Sequence, residues 1–210
     1  MCLRRQVMAA IVMCIASSAT AAPRDTSRTV SARIYDYAHF DSDQLDRAQQ
    51  QVSATYRTAG VNLEWHRTVS PDLIDAGKAS WPDDGIATIT VVLLAAHMGP
   101  RIDLRPAVAG YAPITRRAGG RIAYVVGDRI QGIALAGKVE SWTVIAGVMT
   151  HEIAHLLMPE RTHTAGGVMR PHWFPDEFSQ VPKQRFSEAE SRSLRRTVSA
   201  LGAQKVRVAD

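Results

Sequence analysis

Two histidines four residues apart with a glutamate beside the first, His151-Glu152-Ile153-Ala154-His155, are the residues of this chain whose types and spacing suggest chemistry. On a helix, positions four apart share a face one turn apart, so both imidazoles can reach the same tetrahedral ion. The Glu152 carboxylate then lies within reach of the ion's open position, where it can take a proton from a water. The chemistry this implies is metal-assisted hydrolysis with Zn2+ as cofactor, Glu152 acting as the base. A catalytic zinc needs a third protein ligand. His163 is the first choice, because it follows Pro159, which stops a helix and allows the chain to turn back toward the metal. Glu188 and Glu190, from a later helix, are the alternatives.

The two histidines need a helix to hold them, and the flanking sequence supplies one. Trp142, Ile145, Met149, Ile153 and Leu156 form an apolar stripe at helical spacing, which predicts a helix over Lys138–Met158 that stops near Leu157. Upstream, partial alternation predicts a strand over Thr29–Ala38. Asp41-Ser42-Asp43 offers N-caps for a helix that Gly60 ends, and Val61–Arg67 alternates as a second strand. Ser70–Asp84 and His97–Pro106 read as loops. Between them, the β-branched run Ile86–Ala95 reads as a buried central strand. Gly110–Thr115 and Arg121–Val126 read as strands around a turn at Arg116–Gly120. After the metal-binding helix, Thr164–Pro182 is turn-rich, and Ser187-Glu188-Ala189-Glu190 is a capping box opening a last helix to about Leu201.

Composition bounds the setting. Apolar residues are 46% and charged residues 21% of the chain, ordinary for a soluble domain rather than a disordered segment. Arg4 and Arg5, the apolar stretch Val7–Ile15 and Ala19-Thr20-Ala21 have the pattern of a signal peptide cut after Ala21. The expectation is therefore a secreted or periplasmic protein with no stable membrane insertion after cleavage. Both cysteines, Cys2 and Cys14, fall in that leader, so metal ligands must be His, Asp or Glu. Without Arg4 and Arg5 the net charge falls from +5 to about +3. The remaining arginines are scattered along the chain, apart from Arg116-Arg117 and Arg195-Arg196, which argues against a nucleic-acid partner. His39, His66 and His97 sit in no partner pattern. His172, in Met169-Arg170-Pro171-His172-Trp173, is a candidate oxyanion donor or pocket residue.

The His-Glu-x-x-His helix, the later His163 and then Gly167-Val168-Met169 resemble the zincin peptidases, closest to the metzincin branch. The resemblance implies an α+β, zincin-like catalytic domain with a twisted mixed sheet, an active-site helix and a small C-terminal subdomain. Applied to this chain, residues 22–210 form one catalytic domain, divided near residue 157 into upper and lower parts. The resemblance also implies that Met169, in a Met turn, forms an apolar floor beneath the metal. It further implies that the strand carrying Ile122, Ala123 and Tyr124 is an edge strand that pairs with peptide. The sequence departs from the metzincin pattern at Met158 and Arg161, where that branch has glycine and its third histidine. The activity implied is a secreted zinc metalloendopeptidase acting on a protein or peptide substrate. The alternative is a non-catalytic zinc-binding or peptide-binding module on the same fold.

Overall fold

The computed structural model describes residues 28–68, 87–102, 108–113, 122–158 and 163–208. The expected leader, the loop over Ser70–Asp84 and the turn at Arg116–Gly120 lie outside the described residues.

Five strands, β1 (Thr29–Asp36), β2 (Asn62–Arg67), β3 (Ala87–Leu94), β4 (Gly110–Tyr111) and β5 (Ile122–Val126), form one sheet in the order β2-β1-β3-β5-β4. The first four in that spatial order pair in parallel, and β4 pairs antiparallel with β5. Helix α1 (Ser42–Thr58) connects β1 to β2. It starts at Asp41, whose Oδ1 accepts the N–H groups of Asp43 and Gln44, and it ends before Gly60, at φ 80. The strand–helix–strand opening read from the sequence is present, and the two strands are parallel.

The period of two in a strand explains how the sheet divides its side chains. Ala87, Ile89, Val91 and Leu93 of β3 join Val30, Ala32 and Ile34 of β1 in the main core, beneath Leu45, Ala48, Val52 and Tyr56 of α1. Val92 and Leu94 point to the other face and pack with Met98 and Val126. Both faces of β3 are thus buried, which is why its sequence is rich in β-branched residues and apolar apart from Thr88 and Thr90.

The helix that carries His151 and His155 differs at its start from the sequence reading. A separate helix, α2 (Gly127–Gly137), precedes it and had no counterpart there. Lys138 lies in the left-handed region at φ 51 and closes α2, its N–H reaching the carbonyls of Ala134 and Leu135. The next helix, α3, therefore spans Ser141–Leu157 rather than beginning at Lys138. It ends where expected: Met158 is extended, as the residue before a proline prefers. Thirteen residues of α3 are buried, so it runs through the core rather than along its surface. The Tyr56 hydroxyl, fully buried, donates to the Thr150 carbonyl at 2.9 Å and ties α1 to α3 one residue before His151. Burial pushes the Tyr56 phenol well above its ordinary value, and the Glu152 charge adds to the shift, so the hydroxyl stays protonated.

A 3-10 helix (Pro175–Lys183) sets Phe178 and Val181 against Gly147 of α3. The last helix, α4 (Glu188–Val208), starts at the expected capping box. The Ser187 N–H donates to Glu190 Oε2 at 2.7 Å, and the Glu190 N–H donates to Ser187 Oγ at 3.2 Å. No helix among the described residues is long and apolar enough to cross a membrane.

Candidate metal centre

Helix α3 presents His151 and His155 on one face, and the segment after it brings His163 to them. The ligand-capable nitrogens of these three histidines all lie within 4.8 Å of one another. The Nε2 atoms of His151 and His155 are 3.0 Å apart, and those of His151 and His163 are 3.3 Å apart. Nitrogens arranged tetrahedrally at a zinc-ligand distance of about 2.0–2.1 Å stand about 3.3 Å from each other. The spacing therefore fits one ion.

Protonation also fits. His151 Nδ1 lies 2.9 Å from the Val168 carbonyl oxygen, so Nδ1 carries the proton and donates, leaving the Nε2 lone pair facing the other two rings. Burial holds the His151 imidazole below its ordinary value of 6.5. The hydrogen bond to Val168 works against that shift, and the charge of His163 works with it. A neutral His151 is the form that ligates a cation.

The tight turn that supplies Val168 is held by its own bonds. The Thr164 N–H donates to the Met169 carbonyl at 2.9 Å, Thr164 Oγ1 donates to the Gly166 carbonyl at 2.8 Å, and Gly167 takes φ 72. Met169 is fully buried in the main core. Its turn thus reaches the three histidines through the Val168 carbonyl, which meets His151.

The carboxylates considered as third ligands are engaged elsewhere. Glu190 is buried and accepts the Ser187 N–H, with Thr164 Oγ1 3.1 Å from its other carboxylate oxygen, and Glu188 pairs with Arg195 at 2.9 Å. The capping box that made Glu190 conspicuous in the sequence is what commits it to the start of α4.

Glu152 is 8% exposed and lies between α3 and β4. A cleft of about 400 Å³ opens beside it, lined by His151 and Glu152 and walled by Val148, Pro171, Trp173 and Phe178. His172 also lines this cleft, and its side chain is exposed. Arg170, beside it, stacks over Trp173 at 4.7 Å and pairs with Glu177 at 2.7 Å. The sequence reading missed Arg170, because its partner lies seven residues away in a segment without periodicity.

The expected edge strand is corrected. Ile122, Ala123 and Tyr124 belong to β5, which pairs with β3 on one side and, at Tyr124 and Val125, with β4 on the other. Among the described residues, the outermost strand next to Glu152 is β4. Gly110 and Tyr111 are too short a run for alternation to single them out as an edge.

No family model matches the chain, and no curated protein matches it. Among solved structures it is similar to metalloproteinase-II from Bacteroides fragilis, with a TM-score of 0.52 and 13% identity over 83% of this chain and 54% of that one. The chain therefore spans about half the length of that structure. At this identity the likeness is one of fold. The chain has a mixed α/β fold similar to that of a metalloproteinase, with three histidines placed to hold a metal ion.

Proposed function

We propose that the chain is an exported zinc metalloendopeptidase. The observation that supports this best is the convergence of His151, His155 and His163 beside a buried Glu152 at a cleft. His151, His155 and His163 would hold the ion, with Met169 as the apolar residue of the turn below. Bound there, zinc would lower the pKa of water toward about 7 and polarise the scissile carbonyl.

Glu152 takes the proton of the attacking water and passes it to the leaving amine. Its low exposure keeps that proton from bulk solvent. His172, on the same cleft, is placed to donate to the developing oxyanion or to the substrate side chain. Peptide pairing by strand addition, first assigned to β5, moves to the outer edge of β4. The leader ending at Ala21 would deliver the protein to the periplasm or the medium, and N-terminal sequencing of the exported protein tests that cut.

Glu152→Ala tests the reading directly. Retained zinc with loss of cleavage of an unfolded protein substrate is the expected result. Equal cleavage by the variant would reject Glu152 as the base. Zinc binding without cleavage by the wild type would instead leave a binding module.

A further inference from the structure

The sequence scatters its arginines, but folding gathers four of them. On α4, Arg192, Arg195, Arg196 and Ser199 recur at the three- and four-residue steps that keep side chains on one helix face. Arg28, directly before β1, reaches the same surface. Together these five residues line an open concavity of about 540 Å³ that shares no residue with the cleft at Glu152.

The four guanidinium groups are not equivalent. Arg195 is a scaffold: it donates to the Ala59 carbonyl at 3.0 Å, at the end of α1, and to Glu188 at 2.9 Å. Arg192 approaches the same Glu188 oxygen only to 3.7 Å, and its side chain is 62% exposed. Arg28 and Arg196 are exposed, and neither makes an ion pair with a carboxylate of the described residues. Among the described residues, Glu188 is thus the carboxylate paired with this cluster, through Arg192 and Arg195, and the mutual repulsion of the four guanidinium groups falls when an anion enters.

Donors that line one concavity from the residue before β1 and from two turns of α4 suit a tetrahedral anion with three or more acceptor oxygens better than a planar carboxylate with two. Guanidinium forks bind phosphate oxygens in pairs, and the Ser199 hydroxyl adds another donor. We propose that Arg28, Arg192, Arg196 and Ser199 form a binding site for a phosphate group, carried either by a soluble phosphate or by the headgroup of an anionic phospholipid. The site is independent of the metal chemistry.

The test uses the full exported chain at about 0.15 M salt, where nonspecific surface attraction is largely screened. Inorganic phosphate is titrated calorimetrically, and phosphatidylglycerol vesicles are compared with phosphatidylcholine vesicles by co-sedimentation. At least one probe binds saturably to the wild type. Arg192→Gln with Arg196→Gln weakens that binding by about tenfold or more, whereas Arg47→Gln with Lys183→Gln, which removes the same charge elsewhere, changes it by less than about twofold. Arg28→Gln, outside any α-helix, provides an independent loss, and an unchanged circular dichroism spectrum and urea midpoint show that each variant is folded. Binding of phosphate alone assigns a soluble ligand, and retention on phosphatidylglycerol alone assigns a lipid. Binding of neither probe, or equal weakening in the two double variants, would overturn the proposal.

Discussion

Gly110 lies directly against Glu152: a Cβ at Gly110 would stand 2.7 Å from Glu152 Oε1, 2.7 Å from its Cγ and 2.5 Å from Val148 Cγ1. The edge strand β4 can approach α3 this closely only where it has no side chain. Gly110→Ala should therefore displace the Glu152 carboxylate while leaving the three histidines in place. The expected outcome is a kcat lower by about ten- to a hundredfold with unchanged zinc stoichiometry. Val148→Ala in the same chain should restore part of the loss by making room. Steady-state kinetics with metal analysis checks both, and an unchanged kcat in Gly110→Ala would remove β4 from any role in placing Glu152.

Zinc should stabilise the protein measurably, because only the folded chain brings the three imidazoles together. A zinc concentration about a hundredfold above the dissociation constant adds about 2.7 kcal/mol. Chelation should lower the melting temperature. His163→Ala should abolish most of that zinc-dependent shift, and Glu190→Gln should not. Scanning calorimetry with and without chelator distinguishes the two variants.

Tyr56→Phe should destabilise the protein by about 1–2 kcal/mol. The change removes the hydrogen bond to the Thr150 carbonyl, within a region where Tyr56 also packs on Phe186 at 5.1 Å between ring centroids. Urea denaturation measures the cost. A loss near zero would mean that the helical bonding of Thr150 already satisfies its carbonyl.

Acid should weaken the support of Arg170, which lines the cleft, at Glu177. Its carboxylate accepts the Phe174 N–H and pairs with Arg170, and these contacts hold its pKa below the ordinary 4.5 despite some opposing desolvation. A carboxyl whose folded pKa is depressed contributes stability that is fully present above its unfolded value and lost as pH falls through the folded one. The difference in urea midpoint between the wild type and Glu177→Gln should thus be constant above about pH 5 and shrink as pH falls below 4.5. A difference that grows on acidification would contradict the pairing.

Local signals with a fixed period were readable from the sequence, and contacts between distant segments were not. The β1–α1–β2 opening, the buried run of β3, the end of α3 before Pro159 and the capping box at Ser187 all follow from neighbouring residues. Helix α2 was missed because Gly127, Gly132 and Gly137 lower its helical propensity and only Gly127, Ile130 and Ala134 are buried. The start of α3 was misjudged because Lys138 adopts a left-handed conformation usually left to glycine or asparagine. At the metal centre, the two helix histidines were fixed by spacing, whereas His163 depended on how the chain returns after Pro159. Strand order placed β4 outside β5, and strand order is set by packing of the whole sheet rather than by the residues of either strand. The arginine concavity was hidden for the same reason, since Arg28 and Arg192 are far apart in sequence.

The position of His163 has a mechanical consequence. Two of the three imidazoles belong to a rigid helix, and the third belongs to the segment that leads into the Val168 turn and on to α4. An ion held by all three would close a short ring in the backbone between His155 and His163, as a cross-link does. Beyond Cys14 the chain has no sulfur with which to make such a link. Occupancy of the metal would then set how tightly the last quarter of the protein is fastened to the rest. Limited proteolysis between residues 163 and 175 would report metal loading without any substrate being turned over.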